Sequence, residues 1–139
     1  MARGLAKPFI KWAGGKRQLL NELLKRVPES FGAYHEFFLG GGALYFELFN
    51  QGKIKNAVLS DINPRLMNVY EVVKRNPTEL IEELKNKKYV NRKDAFYKIR
   101  ELEPLDSIER AARFIYLNKT AFNGLYRENS RGKFNVPFG

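Results

Sequence analysis

Three consecutive glycines, Gly40 to Gly42, interrupt the apolar run HEFFLGGGALYFEL (residues 35–48), and this restricts the fold more than any other feature of the chain. Residues 33–39 read as a short strand entering the glycines. A helix resumes at ALYFELFNQG, where Gly52 can end it. A strand–glycine turn–helix unit lets a ligand lie against backbone where a side chain would block it. NAVLSD (56–61) is a second short strand ending in an acid, and Asp61 follows Gly40 by 21 residues. That is close to the ~20 residues expected between such a turn and a carboxylate accepting bonds from ribose hydroxyls. A plainer reading has the glycines making only a tight crossover, with Asp61 capping the next turn.

The surrounding pattern is mostly helical. KRQLLNELLKR (16–26) carries Leu19, Leu20, Leu23 and Leu24 at helical spacing. INPRLMNVYEVVK offers Asn63 as N-cap and Pro64 at the first helical position. NPTELIEELKN repeats that start with Asn76 and Pro77, and Glu79 can complete a capping box. Helices are expected over 92–103 and 107–122, with Ile108, Ala112, Ile115 and Phe122 sharing a face of the latter. From Asn123 onward, NGLYRENSRGKFNVPFG reads as loop or irregular hairpin. There is no internal repeat and no low-complexity linker. Strand–helix alternation points to an α/β fold with a parallel sheet, yet only about two strands are visible, too few for a finished open sheet.

The turn discriminates among nucleotide ligands. A dinucleotide fingerprint needs G-x-G-x-x-G, and Tyr45 stands where the third glycine would allow close helix–strand packing. AGGKRQ suggests a phosphate-binding loop, but Ile10 occupies its first glycine position and Arg17 follows Lys16 where Ser or Thr is required. A ribose-bearing ligand without phosphates in the turn remains, and S-adenosylmethionine fits that description.

Charge supplies the partner. The chain has 25 Lys and Arg against 15 Asp and Glu, a formal net charge of +10. Such an excess attracts polyanions, nucleic acid first among them, although a lysine-rich solvated surface gives the same count. With no Cys and His35 as the single His, thiolate and poly-His metal sites are excluded, and no metal is expected. No signal-peptide pattern opens the sequence and no stretch approaches the ~20 apolar residues of a membrane span, so a soluble cytoplasmic protein is expected.

FIKWAGGK (9–16), EFFLGGGA (36–43), LSDIN (59–63) and RFIYLNKTAFNGLYRENSRGKFNVPFG (113–139) occur in that order. Together they resemble the N-terminal part of the Dam-type DNA adenine-N6 methyltransferases, in which the cofactor motif precedes the target-recognition region. The resemblance implies a partial Rossmann-like S-adenosylmethionine-dependent fold over residues 1–75 and a helical, loop-rich DNA-binding region over 76–139. It implies that Trp12 offers a face and Lys16 a charge to S-adenosylmethionine. Phe38, Gly40 and Gly42 match the F-x-G-x-G turn along the methionine part, and Asp61 matches the ribose acid. Asn123, Leu125, Arg127 and Pro137 match the target-recognition loop, and Lys11 a basic residue reaching double-stranded DNA. Arg reads guanine bidentately and Asn reads adenine, compatible with a GATC-like target. Arg131 and Lys133 are expected on phosphates, which position without specifying.

Two departures stand out. Glu36-Phe37-Phe38 replaces the family's E-P-F, restoring a backbone donor before the turn. The family's D-P-P-Y segment, which holds the flipped adenine, is absent, and NVPF (135–138) falls in the recognition block with Val136 at a proline position. No catalytic residue is therefore assigned. The chain is expected to be half of a split enzyme or a truncated product, inactive alone and completed by a second polypeptide. A non-catalytic DNA-binding module and a basic fragment without stable function are the alternatives.

Overall fold

The computed structural model describes residues 4–16 and 18–139. They divide into two compact units, 1–62 and 63–139. This division precedes the 75/76 boundary drawn from the sequence because helix α3 (Pro64–Arg75) packs on α6 (Ser107–Thr120) and so belongs with the later helices.

The first unit holds α1 (Leu20–Leu24), β1 (Tyr34–Glu36), α2 (Ala43–Asn50) and β2 (Ala57–Leu59). β1 and β2 pair in parallel with Tyr34 opposite Ala57, His35 opposite Val58 and Glu36 opposite Leu59. Parallel neighbours require a crossover, and α2 supplies it. The pairing continues beyond the strands, since Ser60 N–H donates to Glu36 O at 2.8 Å and Leu39 N–H to Ser60 O at 3.0 Å. α1 is shorter than the expected 16–26, of which Arg17 lies outside the described residues. No residue of α1 is buried and Leu19 is largely exposed. A short helix whose leucines are only partly covered has little to extend it.

The second unit holds α3, α4 (Pro77–Leu84), α5 (Lys93–Glu101), α6 and a 3-10 turn, Phe122–Gly124. Asn63 caps α3 as expected, its Oδ1 accepting from Arg65 N–H at 3.0 Å and Leu66 N–H at 3.1 Å. Asn76 starts α4 without a side-chain cap, so the capping box with Glu79 is not formed. Its N–H still closes α3 on Val72 O at 2.8 Å, and serving two helices fixes its backbone at φ −132°. The buried face of α6 is Ala111, Ala112, Phe114, Leu117 and Thr120. Ile108 and Ile115 are half-buried, whereas Phe122 lies beyond the helix end and is half exposed, which corrects the stripe expected to include it. Phe96, Ile99, Tyr116, Leu117, Phe134 and Val136 form one core cluster, which ties the C-terminal segment to α5 and α6. That segment is the expected irregular hairpin, with isolated antiparallel bridges Glu128–Phe134 and Ala121–Phe138.

Thus an α/β arrangement with a small parallel sheet is observed. Among the described residues no helix is long and apolar enough to cross a membrane, and no three His, Cys, Asp or Glu side chains gather as a metal site.

Candidate cofactor cradle and nucleic-acid surface

In the first unit the structure brings two other motifs, residues 9–16 and 59–63, to the glycine turn. Gly40 has φ +52°, a left-handed backbone that L side chains rarely adopt. A Cβ there would stand 2.8 Å from Trp12 Cδ1, so the indole ring lies directly on the glycine. Gly41 is close to Ile10 O, which a Cβ would meet at 3.1 Å. Gly42 is left-handed as well (φ +71°), serves as N-cap of α2, and donates its N–H to Leu39 O at 2.8 Å. These conformations explain three glycines in succession.

Asp61 reaches back to this turn. Its Oδ2 accepts from Gly40 N–H at 2.9 Å. The carboxylate therefore does not cap the following helix, which is the role of Asn63. Lys16 Nζ lies 2.8 Å from Glu36 Oε1 and also donates to Phe38 O. An ammonium carries three donors, and these bonds use two of them. Glu36 is buried, and its other oxygen accepts from Tyr34 Oη at 2.7 Å. Burial, followed by the bond to Glu36, pushes the Tyr34 phenol well above the usual tyrosine range. Phe38 points its ring outward and is 77% exposed. Lys11 is exposed beside Trp12 in sequence. Glu36 and Tyr34 were not among the residues singled out from the sequence. Only the unlike charges of Lys16 and Glu36 could have signalled the pair, and their separation of 20 residues gives no periodicity to read.

In the second unit the basic and polar candidates lie on the C-terminal segment. Asn123 sits at the tip of the 3-10 turn, exposed and left-handed at φ +53°. α6 has already ended at Thr120, so Asn123 does not terminate it. The turn is held because Phe122 N–H donates to Pro137 O at 2.9 Å and Gly124 O accepts from Asn118 Nδ2 at 3.3 Å. Pro137 thus acts through its carbonyl, while its ring side remains exposed. Leu125 is half-buried against the core cluster. Arg127 is exposed, with Nε donating to Asn135 Oδ1 across the hairpin at 2.8 Å. Arg131 and Lys133 are exposed at the turn, and both donate backbone N–H groups to Asn129 Oδ1, at 2.9 and 3.1 Å. The side chain of Asn129 therefore shapes the loop that presents the two cations.

Beneath the hairpin lies a polar chain that the sequence reading did not include. Arg113, buried in α6, donates to Ile99 O at 3.0 Å and Arg100 O at 2.6 Å. Burial lowers its guanidinium pKa from the ordinary value, with Glu103 opposing that shift. Glu103 bridges Arg113, at 3.6 Å, to Arg65, at 3.0 Å. A separate groove lined by Glu79, Glu82, Glu83, Asp106 and Glu109 is acidic, the wrong sign for a phosphate backbone.

The family model for the D12 class N6 adenine-specific DNA methyltransferases matches residues 12–139. The chain belongs to this family. The Type II methyltransferase M1.LlaDCHI of Lactococcus lactis subsp. cremoris is 44% identical over 139 residues, covering 96% of this chain and 48% of that protein. The Type II methyltransferase M.MjaIII of Methanocaldococcus jannaschii is 42% identical over 150 residues, covering 96% and 52%. The DNA adenine methylase of Haemophilus influenzae is 39% identical over 138 residues, covering 96% and 47%. The chain spans about half the length of the curated relatives it matches.

Proposed function

We propose that this chain is the cofactor- and target-binding portion of a site-specific DNA adenine-N6 methyltransferase that acts in the cytoplasm on a GATC-like site in double-stranded DNA. The observation that carries the reading is the closure of the glycine turn. Asp61 bonds to the Gly40 amide at 2.9 Å and Trp12 lies on the Gly40 backbone, so residues from three motifs meet at one place. This donor set suits a ribose-bearing ligand without phosphates: a carboxylate, an aromatic face and an ammonium beside glycine backbone, with no Ser or Thr following Lys16 as a phosphate loop requires. S-adenosylmethionine, when bound, supplies the electrophilic methyl group. Trp12, Phe38, Gly40 and Gly42 would hold its adenosine and methionine parts, Asp61 its ribose hydroxyls, and Lys16 its carboxylate through the remaining donor.

Sequence readout would fall to Asn123, Leu125, Arg127 and Pro137, with Lys11, Arg131 and Lys133 on phosphates. A partial Rossmann-like sheet is part of this reading. One face of the β1–β2 pair presents His35, Phe37 and Val58, all exposed, whereas parallel sheets are ordinarily covered on both faces. Transfer to an exocyclic nitrogen requires a flipped base held at its amino group. We assign that step to a D-P-P-Y segment from outside these 139 residues, in a second polypeptide or a longer chain, and assign no catalytic residue within them.

The test is transfer of labelled methyl from S-adenosylmethionine to duplexes with and without GATC. The chain is assayed alone and mixed with a polypeptide carrying a D-P-P-Y half, and cofactor binding is followed separately by calorimetry. No transfer alone and site-dependent transfer in the mixture is expected. Transfer by the chain alone would place the reacting groups within it, in the NVPF segment or elsewhere. DNA binding with no transfer in any mixture would favour a non-catalytic DNA-binding module, the second reading, which rests on the self-supported basic hairpin.

A further inference from the structure

Arg65 is the first charged residue after the Asn63 cap, and its side chain turns toward the hairpin. Nη2 donates to Gly132 O at 3.1 Å, within the turn. Nε lies 3.1 Å from Glu128 Oε1, in the strand before it. Nη1 donates to Glu103 Oε2 at 3.0 Å, in the α5–α6 connection. A planar guanidinium holds three such bonds in fixed in-plane directions, whereas the three donors of a lysine ammonium rotate on a flexible stem. Glu128 also accepts from Tyr126 Oη, and the Tyr126 ring stacks on Phe114 of α6 with centroids 4.8 Å apart.

Glu128 is the one acid in the segment 122–139, which otherwise carries Arg127, Arg131 and Lys133. An uncompensated carboxylate among those cations would repel a phosphate backbone at short range and reduce the attraction. We propose that Arg65 is a positioning residue for nucleic-acid recognition. Its guanidinium fixes the 128–132 turn to α3 and to the α5–α6 connection and cancels Glu128, so that Arg127, Arg131 and Lys133 face DNA as an unopposed positive set. This inference rests on the assignment of the hairpin as the DNA surface.

The experiment measures two quantities on the 139-residue chain. One is amide hydrogen exchange at Gly132 and Lys133 without DNA, and the other is duplex affinity as a function of salt. The variants are Arg65→Ala, Arg65→Lys, Arg65→Ala with Glu128→Gln, and Arg127→Ala. Arg65→Ala is expected to speed turn exchange and to weaken duplex binding by roughly tenfold. Arg65→Lys should restore part of the affinity and little of the protection. Adding Glu128→Gln to Arg65→Ala should recover affinity without recovering protection, a rescue that a purely structural arginine would not give. Unchanged turn exchange in Arg65→Ala, with α6 amides also unchanged, overturns the latch. Failure of Glu128→Gln to rescue, while Arg127→Ala does weaken binding, overturns the charge cancellation. If Arg127→Ala leaves affinity unchanged, the DNA assignment of the hairpin falls, and with it the recognition role of Arg65, even where the latch itself is seen in the exchange data.

Discussion

The two units are held together differently. Among the described residues of the first, the buried apolar side chains are Ile10, Leu39 and Leu48. Besides the strand pairing and partly buried ring contacts, its segments are joined by individual polar bonds: Lys16 to Glu36, Asp61 to the Gly40 amide, and Asn50 to the backbone of Ala6 at both of its amide atoms. The second buries Leu66, Val69 and Val72 of α3 and, in one packed cluster, Phe96, Ile99, Leu117, Phe134 and Val136. Net stabilisation from a partly exposed hydrogen bond is of order 1 kcal/mol, whereas burying one large apolar side chain contributes about 2 kcal/mol. The helical unit is thus supported by a larger buried apolar set, while the glycine-turn unit leans more on directional bonds, two of which involve residues proposed to meet the cofactor. Sites that must open to admit a ligand are drawn from such low-stability regions.

The largest expected effect breaks the better-packed side. Leu117 is 2% exposed in the cluster that joins α5, α6 and the hairpin. Leu117→Ala should destabilise this unit by about 2–5 kcal/mol, because the lost transfer energy adds to a cavity. Urea titration followed by circular dichroism would show it. A change below about 1 kcal/mol would mean that this core relaxes as easily as a surface. Next comes the directional side. Gly40→Ala introduces a Cβ at 2.8 Å from Trp12 Cδ1 on a backbone with φ +52°. The left-handed conformation alone costs roughly 1–2 kcal/mol, and the indole must also move. Exchange at the Gly41 and Gly42 amides should rise and calorimetric binding of S-adenosylmethionine should be lost, with the protection of α6 amides unchanged. Retained cofactor binding would separate the glycine turn from the cofactor.

The contrast also explains what could be read in advance. The helices of the second unit announce themselves through period and punctuation. Asn63-Pro64 marks the start of α3, and the structure shows the cap it predicts. The same signal at Asn76-Pro77 places α4 but not its cap, because Asn76 is simultaneously the end of α3 and takes its backbone from both helices. Phe122 was placed on the α6 face by spacing, yet the bond from its N–H to Pro137 O takes the chain out of the helix, and spacing carries no information about a partner fifteen residues away. In the first unit the glycine turn and Asp61 were legible because their chemistry is local and their separation is fixed by one crossover. The Lys16–Glu36–Tyr34 group and the Arg65 fork were not, since each joins residues that are adjacent only after folding. α1 failed as a full helix for the converse reason: its leucine spacing is helical, but Leu19 is exposed and Leu20, Leu23 and Leu24 are only partly covered.

The smallest effect compares the units through two tyrosines placed alike. Tyr34 donates to Glu36 in the first unit and Tyr126 to Glu128 in the second. In both, burial and then the carboxylate hold the phenol well above its usual range. A group whose folded pKa is raised contributes stability that is fully present below the unfolded value, about 10 for tyrosine, and is lost as pH rises toward the folded value. Neither tyrosine should weaken its unit at neutral pH, and both should do so above about pH 10. The units should nonetheless respond differently. The core around Phe114, Tyr126 and Phe134 can hold a neutral phenol far into alkali, whereas Tyr34 lies against the half-buried rings of Phe31 and Tyr45, which resist less. Ultraviolet difference titration of the unmodified chain against Tyr34→Phe and Tyr126→Phe assigns each step. Tyr34 is expected to ionise first, together with loss of protection at the Gly40 amide, and Tyr126 later. Ionisation in the reverse order would mean that the directional bonds of the first unit hold more firmly than the apolar core of the second, and the contrast drawn from their packing would have to be inverted.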